Sequence, residues 1–307
     1  MKVFITGASG FVGRHLKEFL KNKAVITATN SRNCDLTKSN SLKKFKKKYD
    51  IIFHLAAWIQ PGNLYKKKIG DQWIINQKIN TNLLDWWSKN QKQSLLVILG
   101  SSGVYNPKKK YIENNYLDSS PNKNFYTYAS TKKMLFLGVK SLSEQYNLKY
   151  LCFIPPTIYG KNYYSKSGQQ QFVFDLIKKI IIGKIENKSI TLWGDGSQKR
   201  EIIDVEDFIK NMWKIIKLKI SNEVFNIGYG KAFTIKYYAK LISKIMKFNF
   251  NNIKYDKSIF PGSKSNLLNL NKTKKMIKLS NKNLKKNIFS VTNWYLKEYF
   301  PKYKNNN

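Results

Sequence analysis

Short apolar runs and longer helical patterns alternate along the first half of the chain. Val3, Phe4 and Ile5 form a run stopped by glycine, and behind it Phe11, Val12, Leu16, Phe19 and Leu20 recur at helical spacing. The apolar runs return at AVITATN (24–30), DIIFHLAA (50–57), SLLVILGSSGVY (94–105, running into serines) and KYLCFIPPTIYG (149–160), each read as a strand. Between them the pattern predicts helices, a lysine-rich one over 39–48 and long ones over 71–90 and 125–147. Strands that alternate with helices pair in parallel through right-handed crossovers, so the expected fold class is α/β with a doubly wound parallel sheet.

From residue 161 the character changes. A polar loop (161–171) leads to a helix over 172–183, a strand-and-turn piece over 189–200, and a short strand feeding a helix to 216 that Asp204 caps. One more strand covers 223–228, Thr234 caps a helix to about 246, and the remainder reads as helical and lysine-rich, with 302–307 frayed. The division expected is a dinucleotide-type unit over 1–160, joined again by about 201–230, and a smaller C-terminal α/β unit over 161–307. No internal repeat is evident.

The glycines at the first turn bring chemistry into this outline. Gly7, Gly10 and Gly13 follow a strand and open a helix, spaced GxxGxxG. Without a Cβ, Gly7 allows a tight turn, Gly10 lets the backbone approach a pyrophosphate, and Gly13 lets helix and strand pack closely. The first N–H groups of the helix, at Phe11, Val12 and Gly13 beside Ser9, then face phosphate charge. That is the context of a Rossmann-type dinucleotide site. At the end of the second strand, where a carboxylate would hold a ribose 2′-hydroxyl, the chain has Asn30, Ser31 and Arg32. A guanidinium with no competing acid suits a 2′-phosphate, so NADP is expected, with NAD as the alternative.

Composition narrows the partners. The 307 residues carry 56 Lys and Arg against 18 acids, a net charge of +38, yet only three are arginines: Arg14, Arg32 and Arg200. Readers of nucleic acid favour arginine's bidentate fork, and these lysines are scattered rather than gathered, so a solvated basic surface is expected rather than a nucleic-acid interface. No apolar run approaches the roughly eighteen residues of a membrane span, and no leader is visible. Cys34 and Cys152 are too few for a disulfide frame or a metal site, which points to a reducing cytoplasm.

A second constellation is acid–base. Tyr128 and Lys132 stand four apart on a predicted helix and share a face. An ammonium beside a phenol stabilises the phenolate and is expected to lower the phenol pKa. Chance alone gives roughly three such pairs in a chain this rich in lysine, and Tyr105/Lys109 is one, with Pro107 between them against a helix. Tyr128 stands apart because Ser101 and Ser102 lie upstream at the carboxyl end of a central strand, the edge where open α/β sheets bind ligands. His54, between apolar neighbours, reads as a packed core histidine.

Taken in order, the glycine loop, Asp35-Leu36, DIIFHLAA, LGSSGVY, YASTK, WGDGSQKREIIDVED and FNIG resemble the extended short-chain dehydrogenase/reductases, the NAD(P)-dependent nucleotide-sugar epimerases, dehydratases and reductases. The local wording is most similar to their GDP-fucose synthase branch. The resemblance implies Tyr128 as general acid/base, Lys132 on the nicotinamide ribose, and Ser101 bonded to the reacting oxygen. It implies cofactor contacts from Gly7, Ser9, Gly10, Phe11, Val12, Gly13, Arg32, Asp35, Leu36, Leu55, Ala56, Ala57, Tyr128, Lys132 and Pro155. Ser102, Gly103, Thr157, Gln171, Trp193 and Arg200 are implied on the substrate side, Arg200 gripping the diphosphate, while Asn226 is read as a structural residue bonding its own turn.

Departures from the family pattern narrow the reaction. Ser102 and Gly103 replace the Asp-Glu pair of 4,6-dehydratases. Gly103 and Gln171 replace the cysteine and histidine of the C3/C5 epimerisation, leaving reduction of a 4-keto (6-deoxy) nucleotide-diphosphate sugar for surface polysaccharide. A 4-epimerase with tightly held NAD uses the same Ser101, Tyr128 and Lys132, and a non-catalytic RNA-binding or dinucleotide-sensing member is the remote alternative. A homodimer through the 71–90 and 125–147 helices is also implied, with Trp86 and Trp87 suited to that bundle.

Overall fold

The structure is a computed structural model that describes residues 1–59, 68–121, 126–164, 171–258 and 264–301. Its first half contains strands β1 (Lys2–Thr6), β2 (Val25–Ala28), β3 (Ile51–His54), β4 (Leu95–Leu99) and β5 (Tyr150–Ile154). Helices α1 (Phe11–Leu20), α2 (Ile69–Asn90) and α3 (Tyr126–Tyr146) connect them. Strand β6 (Thr157–Tyr159) and helix α4 (Phe172–Ile185) follow, then β7 (Ile190–Trp193), β8 (Lys199–Asp204), α5 (Val205–Ile216) and β9 (Glu223–Asn226). The chain continues through β10 (Ala232–Thr234), α6 (Ile235–Met246), β11 (Ile253–Asp256), β12 (Ser265–Asn266), α7 (Asn271–Met276) and α8 (Leu284–Trp294).

Six strands form one parallel sheet in the order β2-β1-β3-β4-β5-β9, the Rossmann-type arrangement the alternation predicts. Its inner strands are buried on both faces, which is why β3 and β5 read as unbroken apolar runs instead of alternating ones. Side chains of β1 divide by parity. Phe4 packs towards Trp86 and Tyr49 under α2 and α3, while Val3 and Ile5 face Leu16 and Leu20 of α1 and Phe208 of α5. The remaining strands make smaller sheets: β8 is flanked by β6, β10 and β12, and β7 pairs with β11. Asp204 and Thr234 cap α5 and α6 through their side chains, as their positions predict.

Several sequence expectations differ from the structure. Residues 39–48 form successive turns rather than a helix. Lys43/Lys47 and Lys44/Lys48 would stack like charges a helical turn apart, and only Leu42 and Phe45 supply apolar anchors. The run 149–160 is two strands of different sheets, divided at Pro155-Pro156, because proline cannot continue a ladder. The lysine-rich C-terminal region contains β11 and β12 as well as helices. Trp86 and Trp87 lie in the core, Trp86 against Phe4 and Trp87 Nε1 donating to Ser94 O at 3.2 Å, so they are unavailable to a second copy. Of the polar loop expected over 161–171, residues 165–170 lie outside the described residues, as do residues 302–307, where fraying is expected from the sequence.

Candidate active site

The glycine turn is built as its residue types require. Gly7 has φ +66°, and a Cβ there would lie 2.7 Å from Ala56 N and 2.8 Å from the Leu55 carbonyl carbon. A Cβ on Gly13 would fall on the Gly7 carbonyl oxygen and 2.8 Å from Ala8 Cα. Close approach of three backbone segments thus leaves a cradle at the start of α1. Gly10 N–H donates to Gly7 O at 2.9 Å, while the N–H groups of Phe11, Val12 and Gly13 precede the first intrahelical bond and point out from the helix end. A dinucleotide pyrophosphate fits this donor set and this lack of side chains.

Behind the cradle, a polar triad keeps the end of β3 in place. Thr6 Oγ1 accepts from Leu55 N–H and Ala56 N–H, both at 3.2 Å. Its single proton therefore goes to His54 Nδ1, 2.9 Å away, which makes Nε2 the protonated nitrogen, donating to Asn80 Oδ1 at 3.2 Å. Burial depresses the His54 pKa to about 4, with Lys132 contributing the same way, so the ring is a neutral core group. On the far side, Arg14 Nη1 donates to Ser9 O and Nη2 to Asn162 O, both at 2.6 Å, tying the glycine loop to the segment after β6.

At the end of β2, the Asn30 side chain shapes the loop, its Oδ1 accepting from Arg32 N–H at 2.9 Å. Arg32 is exposed there. Asp35 is occupied by Thr37, whose N–H and hydroxyl bond its carboxylate and lower its pKa, and Leu36 is buried.

Ser101 follows β4 and caps a single turn (Ser102–Val104), its Oγ accepting from Gly103 N–H at 3.1 Å. Ser102 N–H donates to Pro155 O at 3.1 Å, joining the ends of β4 and β5. Tyr128 and Lys132 are half-buried on the first turns of α3, and a hydrogen bond links the Tyr128 hydroxyl to Ser101. Lys132 Nζ donates to Leu99 O at 3.0 Å. Burial lowers the Lys132 pKa to about 8. Burial also raises the Tyr128 pKa, only partly offset by the Ser101 bond. The expected lowering of the phenol pKa is thus absent, because the desolvation of the phenolate outweighs the help available to it. A phenol that keeps its proton at neutral pH is a proton donor.

Of the residues expected on the substrate side, Thr157 begins β6, Gln171 precedes α4, and Arg200 lies half-buried in β8 with Nη1 donating to Lys199 O at 2.9 Å. Trp193 stands exposed at the end of β7, Lys179 Nζ 5.6 Å from its ring centroid. Asn226 is a structural residue but does not bond its own turn. Its side chain accepts from Tyr105 Oη at 2.8 Å and donates to Tyr111 O and Asn269 O, while its N–H donates to Glu113. The decoy Tyr105 is thereby buried, its hydroxyl committed to Asn226.

Sequence reasoning missed Thr6, Asn80, Tyr116 and Glu201. Glu201, buried in β8, accepts from Gly230 N–H at 2.6 Å and Leu268 N–H at 2.9 Å, and burial raises its pKa to about 7. A carboxylate set directly before the apolar pair Ile202-Ile203, inside the strand KREIID, is the signal that could have found it. Among the described residues no group of three His, Cys, Asp or Glu side chains converges as a metal site would, and no helix is long and apolar enough to cross a membrane.

Comparisons with known proteins extend the geometry. GDP-L-colitose synthase of Yersinia pseudotuberculosis is 28% identical over 282 residues, which span 87% of this chain and 89% of that protein. GDP-L-fucose synthase of Dictyostelium discoideum is 28% identical over 261 residues, 80% of each chain. A solved GDP-L-fucose synthetase from Naegleria fowleri shares the fold, with a TM-score of 0.82 over 97% of this chain and 94% of that one at 18% identity. The model of the NAD dependent epimerase/dehydratase family matches residues 3–228, from β1 through the glycine cradle and the Ser101–Tyr128–Lys132 cluster to the end of β9, and the chain belongs to that family.

Proposed function

We propose that the chain is a nucleotide-sugar oxidoreductase of this family that reduces a 4-keto, 6-deoxy nucleotide-diphosphate sugar with NADPH. The observation that carries this reading is Tyr128, a protonated phenol hydrogen-bonded to Ser101 at the open edge of the sheet, a short way from a cradle fitted to a dinucleotide. When bound, the reduced nicotinamide supplies the hydride for the carbonyl carbon. Ser101 holds the carbonyl oxygen, and Tyr128 releases its hydroxyl proton to that oxygen as it becomes an alcohol. Lys132, poised near pH 8, steadies the tyrosinate left behind and holds the ribose. Gly103 and Gln171 supply no group able to move a proton at a neighbouring ring carbon, so the chemistry stays at one carbon.

The division of labour is proposed as residues 1–160 with about 201–230 for the cofactor and 161–307 for the nucleotide sugar, with Arg200 on the diphosphate and Trp193 beside it. Arg32 at the 2′-position favours NADP over NAD. The protein is read as a cytoplasmic homodimer, joined across the exposed apolar residues Trp73 and Ile74 of α2 and Met134 and Leu137 of α3. A thermal-shift screen of GDP-, UDP-, dTDP- and CDP-linked sugars with NADP tests the substrate class, GDP-sugars first because two relatives bear such names. Stabilisation by one of them, followed by stoichiometric loss of NADPH with its 4-keto form, is the expected result. No stabilisation by any sugar would sink the reading, and purification with tightly held NAD would assign the protein as a 4-epimerase instead.

A further inference from the structure

The two neighbours of β4 do not run equally far. On the β5 side the pairing continues beyond the strand, with Gly100 N–H donating to Phe153 O at 2.9 Å and Ser102 N–H to Pro155 O. On the other side β3 stops at His54, opposite Ile98. Successive residues of a strand turn their main-chain groups to alternate sides, so Leu99 and Ser101 face the side that β3 has left. Two side chains take the place of the missing strand. Lys132 Nζ bonds Leu99 O, and the Tyr116 hydroxyl accepts Ser101 N–H at 3.1 Å.

Tyr116 is fully buried, its ring edge-on to Tyr105 and Phe136 at centroid distances of 5.5 and 5.7 Å. The main chain is cut to fit it: a Cβ on residue 100 would lie 2.7 Å from the Tyr116 oxygen, and that residue is glycine. Burial holds the Tyr116 pKa well above that of a free phenol, so its oxygen stays a neutral acceptor.

We propose that Tyr116 is a positioning residue for Ser101, a surrogate strand partner that fixes the main chain from which the Ser101 hydroxyl reaches Tyr128 and the substrate oxygen. The part of this that concerns substrate rests on the function proposed above. Tyr116→Phe keeps the ring and its packing and removes only the acceptor. Amide exchange at Ser101 is expected to quicken at least about tenfold, with residues of β5 unchanged. With the sugar identified by the thermal-shift screen, kcat is expected to fall on the order of tenfold while KM for sugar and for NADPH stays within about twofold. Gly100→Ala, which displaces the phenol from the opposite side, should give the same split. Unchanged exchange at Ser101 in Tyr116→Phe would overturn the proposal, as would a lower melting temperature with kcat intact, which would make Tyr116 a packing residue alone. If the unsubstituted protein turns over no nucleotide sugar, it is the reaction that fails, and the exchange measurement still decides whether Tyr116 holds Ser101.

Discussion

Lys132→Met separates what the site gains from a buried ammonium and what the fold loses. Burial lowers the Lys132 pKa from 10.5 to about 8, and one pKa unit is about 1.4 kcal/mol, so the folded state disfavours the charge by about 3 kcal/mol when the unfolded state keeps it. Below pH 8 both states are charged and the penalty is complete. Between 8 and 10.5 the folded state has lost the proton that the unfolded state retains, and the penalty fades as pH rises. From pH 7 to 9.5 the relief is about 2 kcal/mol, reduced to about 1 kcal/mol because the side chain is partly open to solvent screening. Methionine keeps the stem and carries no charge, so its melting temperature relative to the unsubstituted protein should be about 2 °C better at pH 7 than at pH 9.5. The orphaned Leu99 carbonyl lowers both values equally, and the other lysines cancel in the difference. Differential scanning calorimetry of both proteins at the two pH values measures it. A difference that stays constant, or grows with pH, would refute the argument. The same variant should lose about a hundredfold in kcat/KM with NADPH.

Other outcomes follow from single contacts. Arg32→Ala should weaken NADP binding about tenfold and leave NAD binding unchanged, measured by titration calorimetry, and an equal loss for both would remove Arg32 from the 2′-position. His54 and Glu201 should oppose one another in pH-dependent stability. A ring held near 4 costs stability as pH falls from 6.5, and a carboxyl held near 7 costs stability as pH rises from 4.5, each by about 3 kcal/mol at full extent. Relative to the unsubstituted protein, His54→Gln should therefore gain on acidification and Glu201→Gln should lose, and melting curves from pH 4.5 to 7 with the opposite trends would reject the assignments. Ile74→Glu should convert a homodimer to monomers in sedimentation, whereas a monomeric unsubstituted protein at micromolar concentration would remove the α2–α3 interface.

The parallel sheet was legible because its strands are covered on both faces, so DIIFHLAA and KYLCFI announce themselves as unbroken apolar runs. The glycine turn was legible because no other residue type tolerates the positions of Gly7 and Gly13. Tyr128 and Lys132 were legible as a pair on one helix face, but their electrostatics were not. Spacing shows who is adjacent and says nothing of how much water is excluded, and exclusion decided the phenol's pKa. The strand β11 escaped because Ile253, Lys254 and Tyr255 carry half a pattern that a partner 63 residues earlier completes, pairing Ile253 with Ile190. Tyr116 escaped for a related reason: its role arises from where β3 stops, which no local pattern encodes.

Asn226 bears on the order in which the molecule comes together. Its partners Tyr105, Tyr111 and Glu113 lie 113 to 121 residues away along the chain, and Asn269 and Thr273 lie 43 and 47 away. The side-chain amide, which bonds Tyr105, Tyr111 and Asn269, cannot be satisfied until the loop closures are complete, and those closures are the slow part of assembling a parallel sheet. Its hydrogen bonds therefore belong to the last step of folding and the first step of unfolding. Asn226→Ala should leave the refolding rate nearly as it was and hasten unfolding, which makes this residue a determinant of the native protein's lifetime more than of its birth.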